Sequence, residues 1–562
     1  MTSSGLKHTT LVAFALLLAP GALAASCSAT SGRNDFSDGG AGGEGPSGPG
    51  GPGNGGMGGD IFVGVGGAGG AGGGDPGVDP VTCEEAAAAR TYIGCDFWPT
   101  VVANNVWSIF DYAVVVANAG DQPAEVTVTR GATTVATATV PANDLAKIYL
   151  PWVPELKGPD ANNCGSATPL SATVRVADGA YHLVSSRPVT VYQFNALEYG
   201  PQGGPPGKDW SSCPGQFCGF PGPLECFSYS NDASLLLPAT AMTGNYRITS
   251  YKGWAGANIG AYFAVTGTQD GTNVQVKVSG KGEIVGGGGI PSTPANGLAS
   301  FSVNRGEVVE VLFAPSSDPA GSLVYADKPV QVIAGIPCTQ MPEGVVACDH
   351  IEESVFPAET LGKRYFVTVP TSPGGGAVGH VVRVFGNVNG TKLTYPGATP
   401  PGAPLSINAG QVFDLGQVGQ DFEIVGDHEF AVASFQLGTQ LVDLFGDNGD
   451  PAQSLATAVE QYRLKYVFLA PNDYNESYVD IVQPLSATVT LDGQVLGASP
   501  TPISSNFGIT RVPLGPGKNG AHVLTATEPV GIQVMGYGSA TSYQYPGGLN
   551  LGTIAPPPPP PN

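Results

Sequence analysis

A catalytic centre needs a nucleophile with a base beside it, a converging pair of carboxyl groups or a bound metal, and this chain offers few residues for any of these. Of six histidines, His8 belongs to the leader and five remain. His182, His380, His428 and His522 lie on or beside alternating segments, where a structural or surface role is expected, and His350 follows Cys348. No His-x-x-x-His pair, Gly-x-Ser-x-Gly elbow or Gly-x-x-x-x-Gly-Lys phosphate cradle occurs. The glycine runs at 286–289 and 374–376 follow no strand-to-helix transition and read as loop tips. Two carboxylates roughly 5 to 10 Å apart would suit glycoside hydrolysis, but spacing alone singles out no such pair. Asp443, Asp447 and Asp450 with Asn448 offer oxygen ligands for Ca²⁺, yet their spacing departs from an EF-hand loop, and a solvated acidic turn is the simpler reading. Asp349, His350, Glu352 and Glu353 form the most polar constellation. It reads either as a ligand site or, with fewer assumptions, as a disulfide-bordered turn. No catalytic residue, metal or cofactor is expected.

The nine cysteines carry more information. Lys7 and His8 precede the apolar run Leu11–Ala19, and small residues follow up to Cys27, which marks residues 1–26 as an export signal. Ala22-Leu23-Ala24 suits ordinary signal peptidase. Leu23-Ala24-Ala25-Ser26-Cys27 resembles a bacterial lipobox, with Ala24 as a departure, and predicts lipidation of Cys27. Ser28 after it, rather than Asp, points to the outer membrane or cell surface, with free secretion as the alternative. The eight other cysteines make an even set, and an oxidising compartment favours their pairing. Cys83 with Cys95 and Cys338 with Cys348 are the simplest local pairs, which leaves Cys164, Cys213, Cys218 and Cys226 to pair among themselves. A metal site at Cys213, Cys218 and Cys226 is the other reading, although their spacing matches no zinc pattern.

The elements that carry these residues must be strands. With 83 Gly, 50 Pro and only 12% charged residues, long helices are excluded over most of the chain, while Val, Thr, Ala and Ser fill the ordered-looking stretches. Residues 27–80 are too rich in Gly and Pro to bury a core and form a tether. Beyond it, a strand pair divided by a titratable residue and Pro recurs at Arg187-Pro188, Lys328-Pro329 and Glu528-Pro529, with His428-Glu429 as a variant. The period is about 100 residues. An alternating hairpin precedes each pair, with Asp270-Gly271 and Asn389-Gly390 as turns. Pro238-Ala239 with Tyr246 and Pro357-Ala358 with Tyr365 share one spacing. The fold class is therefore all-β, tandem β-sandwich-like repeats of six or seven strands, with a β-propeller as the alternative. The repeats are expected at 81–197, 234–338, 339–440 and 441–540, with a Cys/Pro/Gly-rich insertion at 198–233 and a Pro-rich tail at 541–562. No later stretch is apolar enough to span a bilayer. The formal net charge of −22 argues against nucleic acid as a partner.

Two stretches resemble the N-terminal domain family of the IgGFc-binding protein. They are Ser230-Asn231-Asp232-Ala233-Ser234-Leu235-Leu236-Leu237-Pro238, and the span from Cys338 through Cys348-Asp349-His350-Ile351-Glu352-Glu353 to Gly362 and Tyr365. Val189-Thr190-Val191-Tyr192-Gln193-Phe194-Asn195 and Thr268-Gln269-Asp270-Gly271-Thr272 are similar to family segments as well. The likeness covers roughly residues 107–438, and the fourth repeat extends it. It implies an extracellular, β-rich, adhesive module and brings no catalytic residues with it. The expectation is a lipid-anchored surface module that binds an extracellular protein or glycan. A structural envelope or matrix protein, or a carbohydrate-active enzyme, stands as the alternative. Trp210, Phe217, Phe220, Phe227 and Tyr229 in the insertion are the binding candidates, with a disulfide-stapled mini-core as the other reading.

Overall fold

The computed structural model describes residues 79–162, 166–214, 226–444 and 446–561. Cys27, Cys164, Cys218, Phe217 and Phe220 lie outside the described residues, as do all of residues 1–78. The second unit, Ala68–Asn562, holds everything that follows.

Alternation dictates the outer strands. Thr272–Lys277 buries Thr272, Val274 and Val276 and turns the residues between them outward, and Ala124–Arg130 behaves alike. Tyr112–Asn118, Tyr262–Gly267 and His380–Gly386 are buried along their whole length, because their sheets are covered on both faces. Gly271 and Gly390, both at positive φ, make the tight turns between such strands.

The second repeat shows the plan. Its outer sheet runs Leu298–Val303, Thr272–Lys277, Leu323–Ala326, Asn245–Arg247, and its inner sheet Asp349–Ser354, Val330–Thr339, Tyr262–Gly267, Val308–Leu312, with Val174–Val176 from earlier in the chain added at the far edge. That added strand aside, these are in chain order eight strands, not six or seven; three-residue strands such as Asn245–Arg247 are too short to display a period. Units 1, 3 and 4 repeat the order. In units 1 and 4 one long strand, His182–Phe194 or Ala521–Gly538, serves both sheets, outer with its first half and inner with its second. Pro188 and Pro529 sit at the changeover, where no ladder partner needs an N–H. Lys328-Pro329 and His428-Glu429 interrupt the corresponding strands of units 2 and 3.

The eighth strands are Ala233–Leu236, Asp349–Ser354, Gln453–Leu455 and Thr541–Pro546. The last three follow the expected repeat ends at 338, 440 and 540, and each pairs with the inner sheet of the unit before it. They contact one another in cyclic order, so the four units are arranged like propeller blades about an axis lined by these strands. The molecule is thus nearly all-β, each blade being a two-sheet sandwich. Separate apolar clusters fill units 2 and 3, and a larger one fills units 1 and 4 and reaches across to the facing sides of units 2 and 3.

A tyrosine ties each of three blades together. The hydroxyls of Tyr246, Tyr365 and Tyr466 donate to the carbonyls of Val330, Phe430 and Val530, the same position in each seventh strand. Unit 1 has Phe97 on its first strand instead.

Candidate functional site

Ala233, Glu352, Gln453 and Gln544 occupy one register position, opposite Phe194, Gly335, Phe435 and Met535. Their four amides converge on a single carboxyl group. Asp232 accepts from Ala233 N at 2.9 Å and Gln544 N at 3.1 Å on Oδ1, and from Glu352 N at 3.0 Å and Gln453 N at 2.9 Å on Oδ2. One side chain therefore bonds one strand from every blade. Burial pushes its pKa well above the usual carboxylate range, and the four N–H groups oppose that by favouring the charge.

One position earlier in register than Asn231 and its counterparts stand Ser230, Asp349, Asp450 and Thr541. Asp349 accepts from Asn231 N at 2.9 Å, His350 N at 2.7 Å, Thr541 Oγ1 at 2.7 Å and Ser542 N at 3.2 Å. Asp450 is wholly buried. The Thr439 amide lies close enough to favour its charge, but no hydrogen bond satisfies either carboxyl oxygen. Burial, and then the neighbouring Asp349, push its pKa well up.

Above this ring opens a cavity of about 440 Å³, and the loop leading into each eighth strand contributes to it. Tyr229 and Ser230 come from unit 1, and Val346 and the Cys338–Cys348 disulfide from unit 2. Asp447 and Asp450 come from unit 3, and Ser539 and Ala540 from unit 4. Trp107 completes the wall and meets Tyr229 edge-on at 6.4 Å. The lining is chiefly apolar, and among the described residues that form it none is basic.

The structure distributes the insertion's aromatics between two places. Tyr229 lines the cavity. Trp210 packs on Phe110 at 5.2 Å with the Lys208 ammonium 4.2 Å over its ring, and Phe227 stacks on Tyr199 at 4.6 Å. Trp210, Tyr229 and the cysteines of the Cys213–Cys226 disulfide border a small core of Val106, Trp107, Phe110 and Ala196. Lys208 also reaches Asp111 at 2.7 Å and Glu198 at 2.8 Å. Burial, followed by the Asp111 charge, pushes Glu198 up to about 8 despite that ammonium. Cys83 pairs with Cys95 and Cys338 with Cys348.

The polar constellation at 349–353 is a strand, not a turn. His350, Glu352 and Glu353 are buried with Asp349; Glu352 Oε1 accepts from Gln193 Nε2 at 3.2 Å and Ser234 Oγ at 3.1 Å. Asn195 Nδ2 lies 3.2 Å from His350 Nε2. In the acidic loop, Asp443 accepts from the Asn448 amide, Asp447 bonds Ser539, and Asp450 is buried, with Asp447 and Asp450 both lining the cavity. Among the described residues no three His, Cys, Asp or Glu side chains are grouped to hold a metal ion. Asp232 and Trp107 escaped attention as site residues. Asp232 stands inside the family-like stretch 230–238, which was the available signal; nothing in the spacing marks Trp107.

No curated protein matches the chain. Among solved structures, the BSP domain of a biofilm associated protein is 7% identical, over 81% of this chain and 96% of that one, with a TM-score of 0.15. An anti-sigma factor domain-containing protein from Clostridium clariflavum is 10% identical, over 78% and 99%, with a TM-score of 0.11. Likenesses this low bear on neither fold nor function. The sequence does match the family model described as IgGFc binding protein over residues 232–536, more than half of the chain. That span begins at the axial carboxylate and ends within the seventh strand of the fourth blade, and on this match the chain belongs to the IgGFc binding protein family.

Proposed function

We propose that this protein is an exported, lipid-tethered surface module that captures an extracellular protein or glycan at the cavity end of its axis and performs no catalysis. The observation that carries the reading is the convergence of loops from all four blades on one cavity. Loops held by a rigid scaffold are the usual place for recognition. Family membership and the three disulfides among the described residues support an extracellular binding role, and the lipobox-like segment ending at Cys27 supports the tether.

Protease shaving of intact cells tests it, with the native chain compared to Cys27→Ala. The native protein is expected to be shaved from the surface and the variant to appear in the medium. Protection of both inside the envelope would overturn the reading. The soluble variant, screened on glycan and protein arrays, then identifies the partner, and Ala540→Trp, which fills the cavity mouth, is expected to abolish capture.

A further inference from the structure

The cavity has a chemical character beyond its position. Its volume of about 440 Å³ falls at the small end of ligand sites, enough for one ring and a short chain. Trp107 and Tyr229 offer aromatic surface, and the Cys338–Cys348 disulfide and Val346 offer apolar wall. Val346 is 59% exposed, and Leu444, in the loop that carries Asp447, is 73% exposed. Apolar surface thus continues outward from the mouth. Every ionisable acid or base among its described lining residues is acidic or phenolic. At the floor, Asp450 is fully buried, and apart from the nearby Thr439 amide no donor among the described residues approaches either of its oxygens. Its register neighbour on the axis is another carboxyl group, Asp349, whose own oxygens are all engaged by the protein. A buried carboxyl group without a partner is costly, and Asp450 belongs to the lining of the cavity.

We propose that the axial cavity takes a protonated organic amine carried on an apolar or aromatic stem, with the ammonium directed to Asp450 and the stem held against Trp107 and Tyr229. This deepens the proposed binding role and rests on it. The walls bury the stem, aromatic faces favour a nearby cation, and the acidic floor selects against anions and neutral isosteres. A free amine and a lysine side chain share this chemistry.

The test is titration calorimetry on the soluble Cys27→Ala chain. 2-Phenylethylammonium is compared with 2-phenylethanol, and a lysine-containing peptide with its lysine-acetylated form. The ammonium is expected to bind at least 10-fold more tightly than the alcohol, and Asp450→Asn to bring the two within 2-fold. Ala540→Trp is expected to remove both. If only the free amine binds, the source is a small molecule; if the lysine peptide also binds and its acetylated form does not, a protein side chain is the natural occupant. Equal binding of ammonium and alcohol overturns the inference, as does ammonium binding that survives Ala540→Trp. Should Asp450→Asn fail to fold, Asp447→Asn at the rim replaces it, with an expected 2- to 3-fold weakening. The surface-module reading fails separately, by shaving, and survives a partner captured on arrays but not displaced by amines; that last result sinks the amine proposal alone.

Discussion

The interior of a blade is filled by apolar side chains, whereas the seams between blades add directional hydrogen bonds to their apolar contacts. Between the sheets of unit 2 lie Phe263, Val265, Val274, Val276, Phe313 and their neighbours, and unit 3 is filled in the same way. At the seams, apolar contacts such as Tyr251 with Phe435 and Phe366 with Phe507 are joined by buried hydrogen bonds. Glu310 accepts from Ala103 N at 2.8 Å between units 2 and 1, and Arg383 donates to the Ser250 carbonyl at 2.6 Å between units 3 and 2. Asp480 accepts from Thr371 N at 3.0 Å between units 4 and 3, and Tyr192 donates to the Gly547 carbonyl at 2.7 Å between units 1 and 4. Apolar burial is strong but indifferent to angle; hydrogen bonds fix direction. Each blade therefore draws its stability chiefly from its interior, and the ring draws its geometry from the seams.

The sharpest way to break this comparison is at the axis. Asp232→Ala leaves four buried amides, one per blade, without an acceptor, at about 1–3 kcal/mol each. A loss of at least about 4 kcal/mol in urea unfolding is expected, with reduced hydrogen-exchange protection in all four eighth strands. Protection lost in unit 1 alone would show that the carboxylate is not a shared joint. Phe263→Ala empties the middle of one blade and is expected to cost about 3–5 kcal/mol, with exchange accelerated first in unit 2. If all blades loosen equally, interiors and seams are not separable.

Acid–base behaviour separates the regions further. Glu310, fully buried at a seam, is pushed up to about 8 by desolvation, with the charge of Glu352 adding to it. Its folded pKa exceeds its unfolded one, so its contribution is fully present below about pH 4 and is lost as pH rises through about 8, at up to about 1.4 kcal/mol per pH unit. Tm is expected to fall between pH 5 and pH 9. Glu310→Gln keeps an oxygen for the Ala103 amide and should flatten part of that fall; an unchanged profile would remove Glu310 as a cause. The smallest effect is expected at Tyr365→Phe, which deletes the bond to the Phe430 carbonyl and should cost about 1 kcal/mol, confined to unit 3. A loss spread over several blades would extend the seams' role to these tyrosines.

Much of the blade interior was legible in the chain, because alternation reports one buried face directly. The strand pairs about Pro188, Pro329 and Pro529, the Asp-Gly and Asn-Gly turns, and the shared spacing to Tyr246 and Tyr365 all map onto real elements. The seams were harder to read. Asp349, His350, Glu352 and Glu353 are polar residues in sequence, and polarity alone suggests a surface turn; only the meeting of four strands makes them interior. The eighth strands are buried along their whole length, so no alternation announces them. At the candidate site, Tyr229 was visible as an aromatic in a Cys-rich insertion. Trp107 and Ala540 were not, since a cavity drawn from four loops has no contiguous signature.

The joint at Asp232 also has a direction in time. Its donor on Gln544 lies 312 residues later in the chain, on the eighth strand of the fourth blade. Until Thr541–Pro546 arrives, the carboxylate lacks one quarter of its setting and the seventh strand of unit 4 keeps an unpaired edge. Open strand edges invite wrong partners. A chain ending just short of residue 541 would therefore not be a protein with three good blades and one poor one; it would be an arch without its keystone, and its weakness would be felt at every blade at once.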